Sequence, residues 1–207
     1  MPETTDSKVD EKAKVWLHPE QVEELRNAVY DCRPSYLQQR DDSLIQLMYD
    51  TCLRVGELVQ VGVEMLRDSN SKLYLPAEVQ KDYPNENTPD PVTLSLSSDT
   101  TRTLSAYLNS RWKDTESLFP SRSADRMSAQ AVRNMLHKVA ETAEVRPYRI
   151  DGTRGEPEEV TPHTLRHSVA YRMMNHEEGN RLYDVRNRLR HRSIQTTERV
   201  YDHMQEV

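Results

Sequence analysis

The chain has 207 residues, of which 35% are hydrophobic and 30% are charged, and its formal net charge is -6. This length is enough for one compact domain with a substantial core and argues against a large multidomain enzyme. No run approaches the roughly 18 apolar residues that a membrane-spanning helix needs, and the acidic N-terminus does not resemble a secretory signal, so we expect a cytoplasmic location without membrane contact. The two cysteines are too few for a disulfide framework or a thiolate zinc site.

The predicted elements begin with helices. Residues 1–14 are mostly charged and polar, so they are predicted to be a disordered tail. A helix is predicted from Pro19, which suits a first helical position and is followed by apolar residues at helical spacing. A second helix is predicted from about Asp41, which is placed as its N-cap, and Arg54 lies near its end.

Period-two alternation predicts a small sheet in the middle of the chain. Apolar and polar residues alternate over 72–75 and again over 92–97. The stretch between them, 81–91, holds three prolines and no glycine. It is therefore predicted to be a long irregular hairpin loop rather than a tight turn.

Helical patterns return in the second half of the chain. One helix is predicted after a Ser98/Asp99 cap and another after Ser128. Residues 146–160 are predicted to be a polar connection, and 161–201 are predicted to be helical with two breaks. The predicted fold class is α+β and mainly α-helical, with a small antiparallel β-sheet.

Charge is unevenly distributed along the chain. Residues 1–80 carry 9 basic and 15 acidic side chains, whereas residues 146–207 carry 11 arginines and 10 acidic side chains. Within 181–192 there are five arginines and one acidic residue. An acidic average argues against a nucleic-acid partner, because phosphate binding needs clustered cations, but this segment provides a local cationic surface. A solvated helix face is the alternative interpretation, and charge alone does not choose between the two.

The segment 161–168 combines an imidazole with a guanidinium. His163 and Arg166 are three residues apart and share one face of a predicted helix. An arginine there can hold a phosphate in bidentate fashion, while the histidine donates a hydrogen bond or moves a proton. A surface pair without a role is the simpler explanation, and His167 is interpreted as a helix-packing or capping residue.

Two further segments carry polar side chains in apolar surroundings. Arg54 is flanked by apolar residues, and Glu57 is a candidate partner three residues later, because a buried arginine needs one. His191 and Tyr201 flank a Thr-Thr pair that suits the start of a helix. Each segment by itself also fits a structural role, namely a core ion pair and a packed aromatic ring.

Together these segments resemble the catalytic domain of the tyrosine recombinases, also called phage integrases. The usual family pattern is a T-G-L-R-x-x-E block, a lysine on a β-hairpin, an H-x-L-R-H block, an L-G-H block and a tyrosine shortly after a T-T pair. The matching segments, within about residues 16–203, are TCLRVGE at 51–57, Lys81, HTLRH at 163–167, LRH at 189–191 and TTERVYDH at 196–203. The resemblance implies a site-specific DNA recombinase that needs no metal, ATP or other cofactor.

The resemblance also implies roles for the matching residues. Tyr201 would attack the scissile phosphate and form a 3′-phosphotyrosyl link, because a tyrosine hydroxyl can act as a covalent nucleophile. Arg54 and Arg166 would clamp the non-bridging oxygens, where charge develops in the transition state. Glu57 would orient Arg54.

Proton transfer would fall to the remaining matches. Lys81 would be the general acid to the leaving 5′ oxygen, with Lys72 on the preceding strand as an alternative. His163 and His191 would hydrogen-bond the phosphate and assist the movement of protons. No metal ligand set is predicted, because no carboxylate or thiolate spacing completes the histidines.

Double-stranded DNA is the partner that the resemblance implies. Four arginines of the cationic segment are predicted to contact it, namely Arg186, Arg188, Arg190 and Arg192. A homo-oligomer assembled on DNA and accessory DNA-binding proteins are further expected partners. Residues 15–207 are expected to form one catalytic domain, without the separate N-terminal core-binding domain of full-length relatives.

The sequence departs from the family pattern in three places. Cys52 and Arg190 stand where the family usually has glycine, and nine residues rather than eight separate His191 from Tyr201, which can rotate the tyrosine about its helix. These departures and the expected lack of the N-terminal domain motivate a second hypothesis beside the active recombinase, namely a catalytically impaired DNA-binding accessory or regulatory protein. Arginine outnumbers lysine by 21 to 7, which together with the acidic balance fits a high-salt cytoplasm such as that of a halophile.

Overall fold

The computed structural model describes residues 14–80, 89–177, 182–191 and 193–204. Within them the strands are β1 (Val15–Trp16), β2 (Leu66–Arg67), β3 (Lys72–Leu75), β4 (Val92–Ser95) and β5 (Tyr148–Arg149). The α-helices are α1 (Pro19–Cys32), α2 (Ser35–Thr51), α3 (Val55–Leu58), α4 (Ser98–Ser110), α5 (Ala129–Thr142), α6 (Pro162–Asn175), α7 (Leu182–Leu189) and α8 (Ile194–Tyr201). The mainly helical α+β prediction is confirmed. In the described part of the chain, no helix has the length and apolarity needed to cross a membrane.

The central helix of the domain is α2, which packs against α1, α4 and α6. Its residues 40–51 are all buried, so polar as well as apolar side chains of this stretch lie inside the domain. The predicted start at Asp41 is wrong, because α2 begins six residues earlier at Ser35. Asp41 is fully buried inside the helix, where its carboxylate accepts hydrogen bonds from Arg33 and Arg40. Two guanidinium groups thus compensate a charge that the sequence pattern assigned to a helix end.

The three-stranded sheet has the order β2-β3-β4 and is antiparallel, as the alternation predicted. Leu73 pairs with Leu94 and Leu75 with Val92. Leu73 and Leu75 are fully buried, whereas Lys72 at the start of β3 is exposed. This alternation is the period-two pattern of a half-buried sheet. The segment 81–88 lies outside the described residues, and with it most of the predicted loop and Lys81.

A second, two-stranded sheet joins the N-terminal segment to the segment predicted as a polar connection. β1 pairs antiparallel with β5, so that Val15 faces Arg149 and Trp16 faces Tyr148. Strands of two residues carry no readable alternation, which is why the sequence missed them. The carbonyl of Lys14 accepts a hydrogen bond from the amide of Ile150. Lys14 was assigned to the predicted tail, and the other residues of that tail lie outside the described part of the chain.

Capping residues set the starts of the helices around the site. Ser128 caps α5 as predicted, and Ser97 rather than Ser98 caps α4 by accepting a hydrogen bond from the amide of Thr100. Thr161 caps α6 with Pro162 at the first helical position, and Ser193 caps α8. These caps fix where α6 and α8 begin and thereby which of their side chains meet.

Candidate active site

The first wall of the site is the junction between α2 and α3. Cys52 ends α2 in the left-handed conformation, with φ 60°, and its amide donates to the carbonyl of Met48. This turn places Arg54 at the N-cap of α3. Glu57 then accepts two hydrogen bonds from Arg54, one from its backbone amide at 2.8 Å and one from its guanidinium at 3.1 Å. The predicted pairing of Arg54 with Glu57 is therefore present.

Glu57 also binds a second arginine from the end of α7. Arg190 has φ 52° and donates to the Glu57 carboxylate, which is only 2% exposed. Burial by itself would raise the pKa of Glu57, but the charge of Arg190 and the hydrogen bond from the backbone of Arg54 lower it below its ordinary value. Glu57 is therefore an anion held between two cations.

Arg166 on α6 connects three parts of the site. Its guanidinium donates to the carbonyls of Cys52 and Leu189, and the thiol of Cys52 donates in return to the carbonyl of Arg166 at 3.6 Å. The side chain is only 4% exposed. Because the end of α2, α6 and the end of α7 all meet at this guanidinium, its position is fixed by the tertiary structure.

Tyr201 reaches the same site from α8. Its hydroxyl lies 2.9 Å from Nδ1 of His167, and its ring stacks on that of His191 with centroids 6.0 Å apart. Burial raises the pKa of the Tyr201 hydroxyl above its ordinary value, since the residue is only 1% exposed. The nine-residue spacing from His191 therefore still brings the tyrosine to the site.

The histidines of the site are held in their neutral form. Burial, followed by the charges of Arg166 and Arg54, lowers the pKa of His191 to about 4, and Nδ1 of His191 lies 3.0 Å from the hydroxyl of Thr197. The same causes, again with burial first, lower the pKa of His163. A neutral imidazole still carries one N–H, so it can donate a hydrogen bond to a phosphate oxygen.

A cleft of about 460 Å³ opens onto these side chains. Of the predicted site residues it is lined by Arg54, His163, Arg166, His191 and Tyr201. His167 also lines it, as do Lys14 and Val15 from the N-terminal segment, none of which was predicted there. Such a cleft, with two guanidinium groups and a tyrosine hydroxyl, can hold an anion beside a nucleophile.

His167 is buried within α6, as its interpretation as a packing residue predicted, and it also lines the cleft. It contacts the Tyr201 hydroxyl and the ring of His163, whose centroid lies 4.2 Å away. One signal was available, because residues four apart on a helix share a face and His167 is four residues from His163. That spacing does not predict the contact between His167 and Tyr201 on α8.

The arginines predicted to contact DNA are largely engaged within the protein. Arg188 donates to the carboxylate and the carbonyl of Asp50, and Arg190 binds Glu57 as described above. The guanidinium of Arg186 lies 5.5 Å from the ring centroid of Tyr183. Arg192 lies outside the described residues, and DNA contact by these four side chains stays a prediction. Within the described ranges, no three His, Cys, Asp or Glu side chains group as metal ligands.

Solved structures that share this architecture are recombinases and integrases. XerA recombinase superposes with a TM-score of 0.69 at 19% identity, covering 93% of this chain and 60% of that chain. The Tn1549 transposon integrase in complex with circular intermediate DNA gives 0.67 at 16% identity, covering 95% and 64%. The catalytic domain of bacteriophage HP1 integrase gives 0.58 at 18% identity, covering 93% and 89%. The fold is that of a tyrosine recombinase catalytic domain.

Sequence comparison gives the same assignment. The model of the phage integrase family matches residues 15–206, and the chain belongs to that family. Tyrosine recombinase XerD of Haemophilus ducreyi is 26% identical over 198 residues, which are 91% of this chain and 57% of the relative. Tyrosine recombinase XerC of Psychromonas ingrahamii is 26% identical over 169 residues, which are 80% and 49% of the two chains. This chain thus spans about half the length of the curated relatives that it matches.

Proposed function

We propose that this chain is the catalytic domain of a site-specific DNA recombinase that cleaves and rejoins strands through a 3′-phosphotyrosyl intermediate. The observation that carries the proposal is the cleft in which a tyrosine hydroxyl, two arginines and two histidines of the family motifs meet. Family membership and the Xer relatives support it. The proposed chemistry uses no ATP, because the covalent link conserves the energy of the phosphodiester, and it uses the two arginines rather than a metal ion to stabilise charge on the phosphate.

In the proposed cleavage step, the Tyr201 hydroxyl attacks the scissile phosphorus. Negative charge then grows on the non-bridging oxygens, and Arg54 and Arg166 face it from the walls of the cleft. The guanidinium of Arg166 is held by two backbone carbonyls, and that of Arg54 is held by Glu57. Groups held in this way need little rearrangement as charge develops, and removing one such donor typically costs about 10²–10³ in rate.

The remaining roles concern hydrogen bonds and the leaving group. His163 and His191 line the cleft and, as neutral imidazoles, would donate to the phosphate. Lys81 is proposed as the general acid that protonates the leaving 5′ oxygen. Rejoining is the reverse reaction, in which a 5′ hydroxyl displaces Tyr201.

Double-stranded DNA is the proposed substrate. Structures with this fold include XerH bound to its difH substrate and the Tn1549 integrase bound to circular intermediate DNA. Arg186, Arg188, Arg190 and Arg192 are proposed to lie near the DNA backbone. A homo-oligomer on DNA and accessory DNA-binding proteins complete the proposal.

The test is a covalent-adduct assay on nicked suicide DNA substrates made from the sequence that flanks the encoding locus. The wild-type chain should form an adduct that survives a denaturing gel. Tyr201→Phe should bind the same DNA without forming it, whereas the control Tyr183→Phe, which alters a tyrosine that is 59% exposed, should form it normally. A normal adduct from Tyr201→Phe contradicts the assignment of the nucleophile. DNA binding without any wild-type adduct would instead favour an accessory role.

A further inference from the structure

The proposed nucleophile is hydrogen-bonded to a histidine that has no role in the mechanism above. Tyr201 Oη and His167 Nδ1 are 2.9 Å apart, and the two residues are 1% and 6% exposed. As Oη bonds to phosphorus, the phenol must give up its proton. A group within hydrogen-bond reach of that proton is a candidate general base.

We propose that His167 is the general base that accepts the proton of Tyr201 during cleavage and returns it during rejoining. This inference rests on the proposed recombinase function. His167 contacts the reacting oxygen directly and would therefore be a catalytic residue rather than a packing residue.

In the proposed cleavage step, Tyr201 exchanges its O–H bond for a bond to phosphorus. A lone pair of Tyr201 Oη forms the new bond to phosphorus while the bond from phosphorus to O5′ breaks, and its electron pair stays on O5′. The phenolic proton passes to Nδ1 of His167. The O5′ atom takes its proton from a separate acid, the role proposed for Lys81. Rejoining reverses each transfer.

The surroundings of His167 keep its imidazole neutral before DNA binds. Burial lowers the pKa of His167 well below its ordinary value, and His163, Arg166, His191 and His203 act in the same direction. In the neutral form with Nε2 protonated, Nδ1 accepts the hydrogen bond from the phenol. A bound phosphate would place negative charge beside the Arg166 guanidinium and would thereby raise the proton affinity of His167 during the reaction.

The geometry favours His167 over the other two histidines of the cleft. The ring of His191 is nearly parallel to that of Tyr201, with an interplanar angle of 16°, and its Nδ1 lies 3.0 Å from the Thr197 hydroxyl. His163 meets the ring of His167 in an edge contact at 4.2 Å. Among the described residues, the hydrogen-bond geometry thus points the Tyr201 hydroxyl at His167 alone.

The test uses DNA in which sulfur replaces the bridging 5′ oxygen at the scissile phosphate. A thiolate leaves without protonation, so this substrate needs no general acid but still needs a base. His167→Asn keeps an amide oxygen that can accept a hydrogen bond but cannot take a proton. We expect it to form the adduct about 10²–10⁴-fold more slowly than wild type on both the sulfur and the ordinary substrate. The control is His176→Asn, an exposed histidine just beyond the same helix, which should react at the wild-type rate.

The adduct rates of His167→Asn on the two substrates distinguish a general base from a general acid and from a group that only accepts a hydrogen bond. A wild-type rate from His167→Asn shows that hydrogen bonding alone suffices and overturns the base role, and rescue on the sulfur substrate assigns His167 to the acid instead. Absence of wild-type adduct overturns the recombinase function itself and the base role with it. If His167→Asn does not fold, ¹⁵N-histidine NMR of the wild-type chain provides the second measurement. Nδ1 of His167 should be unprotonated and should shift in Tyr201→Phe, whereas a protonated Nδ1 overturns the proposal.

Discussion

At the residue scale, two side chains beside Arg166 occupy backbone positions that favour glycine. Cys52 and Arg190 have φ values of 60° and 52°, and both stand at the glycine positions of the motif pattern given above. An L-residue in this region costs about 1–2 kcal/mol relative to right-handed backbone. Cys52 is completely buried, and Arg190 makes an ion pair with Glu57. These contacts offset the backbone cost, so both departures are compatible with an assembled site.

The backbone cost at Arg190 can be measured separately from its ion pair. Arg190→Ala and Arg190→Gly both remove the pair with Glu57, but only alanine keeps a Cβ at φ 52°. We therefore expect the glycine variant to be more stable by about 1 kcal/mol in urea denaturation. The control is the same pair of changes at Arg186 inside α7, where glycine should be less stable than alanine by about 1 kcal/mol. Equal stabilities at Arg190 would contradict the left-handed strain.

At the element scale, strand β1 holds the N-terminal segment against the cleft. The amide of Leu17 donates to the hydroxyl of Ser168 on α6 at 2.7 Å, in a buried contact. The ring of His18 lies between those of Tyr148 and Tyr171, with centroids 3.9 and 4.6 Å away. Because Lys14 and Val15 line the cleft, this attachment also shapes one wall of the site.

Removing the Ser168 hydroxyl should weaken that attachment. Ser168→Ala leaves the buried amide of Leu17 without its acceptor, at a cost of about 1–3 kcal/mol in the free energy of unfolding. Limited proteolysis should also cleave the chain around β1 faster than in wild type. The Ser168 hydroxyl also donates to the carbonyl of Thr164, and the Thr142 hydroxyl donates in the same way to the carbonyl of Lys138 at the exposed end of α5. The control Thr142→Ala therefore removes a hydroxyl-to-carbonyl bond without affecting a buried amide, and it should cost less than about 0.5 kcal/mol. Equal losses in the free energy of unfolding for the two variants would show that the hydrogen bond from Leu17 adds no stability beyond that of an exposed hydroxyl contact.

At the scale of the whole molecule, the site gathers residues from distant parts of the chain. Arg54 follows α2, Arg166 lies on α6 and Tyr201 ends α8. They meet because α2 packs against α6, α6 against α7 and α7 against α8. The net charge of -6 does not reveal this local cluster of cations. Three histidines are buried beside these cations, and their burial makes the stability of the protein depend on pH.

We expect the stability of the protein to fall as the pH is lowered from about 6.5 toward 4. Burial lowers the pKa values of His163, His167 and His191 in the folded state, for His191 to about 4. The unfolded chain regains ordinary values and so binds protons first over this range. Stability is lost by up to about 1.4 kcal/mol per pH unit for each proton taken up on unfolding, and most of this loss occurs below pH 7.

Urea denaturation at pH 7.5, 6 and 5 measures this effect. His191→Asn should reduce the slope, because one of the three titrating groups is removed. Constant or rising stability between pH 7.5 and 5 would show that the three imidazoles are not buried in their neutral form.

The sequence by itself determined the fold class, the strands β3 and β4, most of the helices and the motif residues of the site. Those features follow from local periodicity, caps and short patterns, which need no knowledge of distant contacts. Only the tertiary structure placed Asp41 in the core, paired β1 with β5 and put His167 against Tyr201. The β1–β5 pairing and the contact between His167 and Tyr201 join residues far apart in sequence, so they leave no periodic signal in the chain. The partners of Asp41 are close in sequence, but an acidic residue with two nearby arginines looks the same on a helix surface as in a core, and only packing distinguishes the two.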